Sequence, residues 1–248
     1  MNQRRILRLS GPDTDTFLQG LVSNDVGRLD RGPVYAALLS PQGKYIADFI
    51  LVRDDADVLL DVAEALADTV ENRLSMYRLR ADVQIAASGL NLQRGTGPAP
   101  EGALPDPRHP ALGWRAYTDA PEADDGSDWD AIRVAHCIPE TGIELTADTF
   151  ILEAGFERLH GVDFRKGCYV GQEVTARMKH KTELRKGLVR VAVHGTADPG
   201  TDITLDGKPA GTLHTRAGDH AIAWLRFDRL DGPLRAGAAT VRLDPTPE

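Results

Sequence analysis

Cysteine is scarce in this chain of 248 residues: Cys137 and Cys168 are the only two, and neither belongs to a Cys-x-x-Cys pair. Protein-held zinc and iron–sulfur centres draw their ligands from such pairs, so an intrinsic four-ligand site is not expected. The two thiols could join in principle, but a chain this large needs no covalent staple and a reducing compartment keeps them as thiols. The seven histidines show no His-x-x-x-His or other ligand spacing, and Gly95-Thr96-Gly97-Pro98 is neither a phosphate-binding loop nor a dinucleotide fingerprint. Metal, ATP and nicotinamide cofactors therefore have no support in the sequence.

Apolar length and positive charge are also in short supply. No hydrophobic run approaches the roughly 20 residues that a membrane-spanning helix needs, and Met1-Asn2-Gln3-Arg4-Arg5 leads into alternation instead of a signal-peptide core. A cytoplasmic protein with no membrane partner is the expectation. Lys and Arg number 29 against 37 Asp and Glu, a formal net charge of -8. Binding to nucleic acid draws affinity from a basic surface that releases phosphate counterions, so no nucleic-acid partner is expected.

What is present, 42% hydrophobic and 27% charged residues, suits a soluble chain with a sizeable core. Ser10-Gly11-Pro12-Asp13 reads as a helix entry with Ser10 as N-cap, ahead of Phe17, Leu18 and Leu21 on one face. Val34 to Val62 holds three β-like runs parted by Pro41-Gln42-Gly43 and Asp54-Asp55-Ala56-Asp57, the pattern of an antiparallel meander. Leu66, Val70, Leu74 and Tyr77 then predict a helix from about Ala63 to Leu79, and Val83, Ile85 and Ala87 a further strand. The Pro- and Gly-rich stretch at 93–113 predicts a loop or subdomain junction, and Pro121 to Asp128 an acidic loop. From Gly187 onward, short alternating runs between Gly and Pro turns predict a small β-barrel or sandwich, with the boundary near Thr182.

Two carboxylates interrupt apolar surroundings. In Tyr45-Ile46-Ala47-Asp48-Phe49-Ile50-Leu51-Val52, pleat parity puts Asp48 with Ile46, Ile50 and Val52, and Tyr45 on the opposite face. Both faces are apolar, so Asp48 must find a donor or a ligand, since burying an unpaired carboxylate is too costly. Glu153 lies in Phe150-Ile151-Leu152-Glu153-Ala154-Gly155-Phe156, which reads as a helix start; it could offer two parallel acceptors to a ligand or a first-turn contact to the helix dipole. Glu173 and Arg177 stand four apart in the order that favours a same-face ion pair. Cys168 follows Lys166 and Gly167 and precedes a helix start. Nearby positive charge and a helix N-terminus favour thiolate, although a lone cysteine is also a common core filler.

The string Lys166-Gly167-Cys168-Tyr169-Val170-Gly171-Gln172-Glu173 resembles the signature of the YgfZ family, folate-binding proteins of iron–sulfur cluster assembly related to the T-protein (aminomethyltransferase) of glycine cleavage. Phe17 to Val26, Leu39 to Lys44, Met76-Tyr77-Arg78-Leu79-Arg80, Ile138 to Gly142 and Leu152 to Gly155 resemble its other motifs, in the same order. The resemblance implies an α+β fold: a T-protein-like folate-binding body with antiparallel sheets over 1–181 and a C-terminal β-barrel over 182–248. It implies tetrahydrofolate as ligand and iron–sulfur client or assembly proteins as partners of a monomer. Cys168 and Asp48 become the candidate reactive residues, and Asn24, Asp25, Arg80, Glu153, Glu173 and Arg177 the candidates for the folate cleft. Ile151 replaces an expected proline, Lys181-Thr182-Glu183 replaces a more usual Arg-Gly turn, and Phe49 stands where the T-protein carries a second aspartate. Assembly or repair of iron–sulfur proteins is the function implied; a tetrahydrofolate-dependent aminomethyltransferase or methyltransferase is the alternative.

Overall fold

The computed structural model describes residues 3–181 and 183–244, Lys181 by its backbone alone. Chain contacts divide these residues into two compact units, one of residues up to 127 with 156–176, the other of 128–155 with residues from 177 onward.

In the first unit, β1 (Arg4–Ser10), β2 (Val34–Leu39), β3 (Tyr45–Asp54), β4 (Asp57–Ala63) and β5 (Gln84–Ala87) form one sheet in the order β2-β3-β4-β1-β5. The expected meander is its first three strands, and all its pairings are antiparallel. One face is apolar: Leu7 and Leu9, Ala36 and Leu38, Phe49 and Leu51 share a single buried cluster. Helix α2 (Glu64–Arg78) closes it through Val70 and Leu74 of the expected stripe together with Ala67, while Leu66 and Tyr77 are partly buried against the same cluster. Asp13 takes the N-cap position of helix α1 (Thr14–Gln19) without a side-chain cap bond, whereas Ser10 is the last residue of β1, paired with Gln84. The cap shifts because Gly11, at φ +117, passes so close to Asp82 that a Cβ would overlap its carbonyl, while the Asp13 carboxylate accepts from the Asp82 amide at 2.8 Å.

A second sheet, order β7-β8-β6-β9, runs through and beyond the expected junction at 93–113 and takes in part of the expected acidic loop; it is made of β6 (Asn91–Gly95), β7 (Leu104–Pro105), β8 (Trp114–Thr118) and β9 (Ala123–Asp124). These strands are short, and β6 and β8 bear the buried Arg94 and Arg115, so no hydrophobic alternation announces them. They are tied to the polar face of the first sheet. There Asp61 accepts from Arg4 Nε at 2.6 Å and from the Tyr117 hydroxyl at 2.9 Å, and it pairs with Arg115. Arg115 continues to Asp106 at 3.0 Å, which also takes Arg108 through two bonds.

The second unit begins with α3 (Trp129–His136) and contains a closed barrel, β10-β13-β12-β11-β14-β15. Its strands are β10 (Lys186–His194), β11 (Asp202–Leu205), β12 (Lys208–Ala217), β13 (His220–Arg226), β14 (Leu234–Ala236) and β15 (Ala239–Leu243). Closure leaves no sheet edge unpaired, and the inward-pointing Val191, Ile203, Leu213, Ala223 and Val241 fill the interior. Arg133, almost fully buried, is ion-paired to Glu144 and donates to the Ile138 carbonyl at 3.1 Å. Thr182 lies outside the described residues, and the unit that holds the barrel also takes in 128–155. Helix α4 (Gln172–Lys181) precedes the barrel. Among the described residues no helix is long and apolar enough to cross a membrane.

Burial alone would raise the Asp61 carboxyl, but Arg115 and Arg4 beside it hold it well below the usual carboxylate range. A carboxyl lowered in the folded state lends stability above its unfolded pKa of about 3.9, and that stability drains away as the pH falls toward the folded value. Asp61→Asn should cost roughly 3–5 kcal/mol in urea unfolding at neutral pH, as expected when one partner of a buried ion pair is removed. The gap between variant and parent should narrow progressively below about pH 4.

Candidate functional site beneath the cysteine segment

Lys166 is the hinge of the site's construction. Its backbone is set by Asp163, whose carboxylate accepts from the amides of Arg165 at 2.7 Å and Lys166 at 3.2 Å and pairs with Arg28. Burial opposes the charge on Asp163, yet these amides and Arg28 keep its carboxyl below the ordinary range. The Lys166 ammonium points inward and donates to three carbonyls, Gln19 at 2.8 Å, Val22 at 2.6 Å and Asn24 at 3.0 Å. An ammonium has three protons, and all three are used. Burial pulls its pKa down to about 8 against the attraction of Asp25 and Asp163.

The segment that receives Lys166 is stapled to the same region from its own side. Ser23 donates to the Gly161 carbonyl at 2.6 Å and accepts from the Ala37 amide at 2.8 Å. Asn24 donates to the carbonyls of Tyr35 and His160 at 2.8 and 2.6 Å and accepts from the Asp25 amide at 2.9 Å, so every polar atom of its side chain is engaged. Asp25 caps the short 3-10 helix Val26–Arg31 and takes the Gln19 side chain at 3.0 Å.

Two glycines bring the Leu39 to Lys44 turn against the start of α4. Gly43, at φ +75, passes Val174 so closely that a Cβ would sit 2.8 Å from the valine Cβ. Gly171, at φ +83, faces the Ser40 carbonyl, which a Cβ would approach to 2.6 Å. Left-handed backbone and lack of space make both positions glycine-only. Gly167 differs, because a Cβ there would meet nothing within 4 Å.

Cys168 is exposed between two anchored neighbours: Tyr169 is buried, and its ring lies 5.0 Å beneath the Lys166 ammonium. The ammonium that the sequence places beside the sulfur is thus turned to the interior, and α4 begins four residues after the cysteine. Cys137 ends α3 in the left-handed region, at φ 49, and is buried against Val134 and Ile222, the core packing its setting suggests.

Asp48 is buried and accepts from the Tyr35 hydroxyl at 3.0 Å and the Tyr45 hydroxyl at 2.6 Å. Simple alternation puts Tyr45 on the opposite face. A bulge overrides it: Leu38 pairs with Ala47 and Leu39 with Tyr45, leaving Ile46 as the extra residue that turns Tyr45 to the side of Asp48. Tyr35 is stacked on Phe156 at 4.9 Å, and burial together with the charge of Asp48 pushes its phenol well above the ordinary value. Neither tyrosine is among the residues the sequence singles out; the only local sign is their position on either side of the glycine turn that precedes the bulge.

The remaining candidates are scattered. Glu153 belongs to the second unit and sits in consecutive turns instead of a helix, its carboxylate 3.8 Å from the Lys186 ammonium. It lines a cleft of about 360 Å³ with Met178, Glu183, Leu184, Arg185, Lys186 and Arg226. Arg80 is exposed after α2. Glu173 and Arg177 are exposed on α4, and neither forms an ion pair among the described residues. No group of three or more His, Cys, Asp or Glu side chains placed to hold a metal occurs among the described residues.

The architecture has counterparts. Residues 185–247 match the family model of the CAF17 C-terminal beta-barrel domain. The iron-sulfur cluster assembly factor IBA57 homolog, mitochondrial, of Mycosarcoma maydis is 32% identical over 239 residues, covering 82% of this chain and 59% of that protein. The mitochondrial assembly factors IBA57 of Mus musculus and Homo sapiens are each 28% identical, covering 94% and 96% of this chain and 78% and 80% of their own. The crystal structure of the glycine cleavage system aminomethyltransferase T of Bartonella henselae superposes with a TM-score of 0.75 over 96% of this chain and 81% of that one, at 14% identity. The fold is aminomethyltransferase-like and mixed α+β, and the sequence is similar to iron–sulfur cluster assembly factors of the IBA57 type, a family related to but distinct from YgfZ. The chain spans 59% of the Mycosarcoma maydis relative. The expectation of a cytoplasmic protein is corrected by these relatives, all named as mitochondrial. Mitochondrial targeting uses amphipathic, Arg-rich segments, so the lack of an apolar core argued against secretion and not against that compartment.

Lys166→Met keeps the stem and removes the ammonium, leaving three carbonyls without their donor. Each buried acceptor so abandoned costs about 1–3 kcal/mol, so the variant should lose at least about 3 kcal/mol in denaturant unfolding. Asp61→Asn and Lys166→Met have no shared partner, so their losses should add when combined.

Proposed function

We propose that this chain supports the assembly or repair of iron–sulfur proteins, with Cys168 as the soft ligand or exchanging thiol and tetrahydrofolate bound in the Glu153 cleft. The observation that carries the reading is the placement of Cys168: an exposed thiol between a hydrogen-bonded Lys166 and a buried Tyr169. A cysteine that merely filled space would be buried. The similarity to named assembly factors supports the same conclusion.

The Glu153 cleft fits a pterin in its chemistry. Met178 and Leu184 offer apolar wall, and the Glu153 carboxylate offers two acceptors suited to a ring N–H and an exocyclic amine. Arg185 and Lys186 are the cations that suit the carboxylates of a folate tail, while Arg226 is held by Asp228 at 2.9 Å and Glu183 adds a second carboxylate to the lining. Bound tetrahydrofolate would supply a carrier for a one-carbon unit. The aminomethyltransferase reading is weaker because Phe49 is fully buried in the apolar cluster and the neighbouring Asp48 already accepts two phenolic protons. A single shielded carboxylate has little capacity to steer protons at folate nitrogens.

Cys168→Ser removes the soft ligand with little change in volume. It should leave the thermal midpoint and folate affinity unchanged while the activity of iron–sulfur enzymes in a deletion strain falls sharply; full complementation would end the cysteine's assigned role. Glu153→Gln replaces one acceptor by a donor and should weaken tetrahydrofolate binding by roughly ten- to 150-fold in calorimetry, about 1.5–3 kcal/mol. Unchanged affinity would place the pterin elsewhere, and sustained turnover of an aminomethyl donor, abolished by Asp48→Asn, would favour the transferase reading.

A further inference from the structure

The end of α2 is built against the ordinary rules of a protein surface. Met76 is 69% exposed and Leu79 89% exposed, although one turn earlier the same helix buries Leu74 completely. Leu79 terminates the helix at φ 39 and ψ -93. A positive φ in a leucine costs on the order of 1–3 kcal/mol, and glycine, asparagine or aspartate usually takes such positions. The strain holds an apolar side chain in water, so neither packing nor backbone preference accounts for it.

Charge around the two side chains runs opposite to the rest of the chain. From Asn72 to Ala81 there are three arginines, Arg73, Arg78 and Arg80, and no carboxylate, in a protein of net charge -8. None of the three forms an ion pair among the described residues; Arg78 donates only to the Val83 carbonyl, at 3.2 Å. Glu71 and Asp82 flank the stretch on either side. Two exposed apolar side chains thus lie in a stretch whose only charged residues are arginines.

We infer that this tip is a docking element for a partner protein that presents an apolar hollow with an acidic rim. Charge complementarity selects that occupant: the arginines would repel a basic surface, and a second copy of this acidic chain would have to bring its own acidic hollow to the tip. Leu79 is the anchor, because a protruding side chain that leaves water entirely on binding is the usual core of an interface, and the arginines supply orientation and encounter rate. The inference rests on this surface alone and holds whether or not the Cys168 and folate readings survive.

The test separates docking from folding. A p-benzoylphenylalanine at position 76 is photolysed in cells, the crosslinked protein is identified by mass spectrometry together with the residues attached, and the pair is then reconstituted from purified components. The expected result is one protein, joined at an apolar site flanked by Asp or Glu, whose affinity falls at least about tenfold with Leu79→Gly and declines with added salt. Leu79→Gly should keep or raise the thermal midpoint, since glycine accepts a positive φ without strain. Crosslinks confined to a second copy of the chain, to lipid, or to nothing would overturn the inference. So would a reconstituted complex whose affinity ignores Leu79→Gly.

Discussion

The site depends on one buried ammonium. Lys166 binds the carbonyls of Gln19, Val22 and Asn24, residues more than 140 positions earlier in the chain, and so ties the cysteine segment to the segment that follows α1. Desolvating an ammonium is expensive, and three directed acceptors are what offsets that cost. Ser23 and Asn24 return the connection through Gly161 and His160, so the two stretches are locked by bonds running in both directions. With Lys166 held below and Tyr169 buried, the chain between them has one way to run, and the Cys168 side chain is left facing outward.

The first sheet works by giving its two faces different tasks. The apolar face, sealed by α2, supplies the cohesive core, and the polar face carries Tyr35, Asp48, Asp61 and Arg4. A carboxylate on that face survives only with donors. Asp48 finds two phenols and Asp61 finds two arginines and a phenol, and the second sheet exists largely to deliver Arg115 and Tyr117 to Asp61. The same logic recurs in the second unit, where buried Arg133 meets Glu144. Polar networks of this kind specify geometry more than they add net stability, because each partner is costly when alone.

Part of this was legible along the chain. The meander from Val34, the stripe of α2 and the short strands from Gly187 onward follow from periods of two and 3.6, which local sequence records directly. The motif glycines at 43 and 171 were visible as glycines, but the reason for them, a crossing of the Ser40 turn against α4, is a contact between distant segments. The strands β6 to β9 were hidden because they are short, and β6 and β8 carry arginine where a strand pattern calls for apolar residues.

The sequence by itself determined the α+β class of the fold and the C-terminal domain of short strands, since each rests on period or an ordered string of motifs. The tertiary structure alone decided where charge lies around Cys168. Local order places Lys166 two residues from the sulfur, yet its ammonium turns inward because its three acceptors are brought there by folding. Likewise pleat parity separates Tyr45 from Asp48, and a single extra residue at Ile46 joins them. Periodicity along a chain reports which face a residue prefers. A bulge or a carbonyl cage depends on segments far apart in sequence, and only their meeting in space settles it.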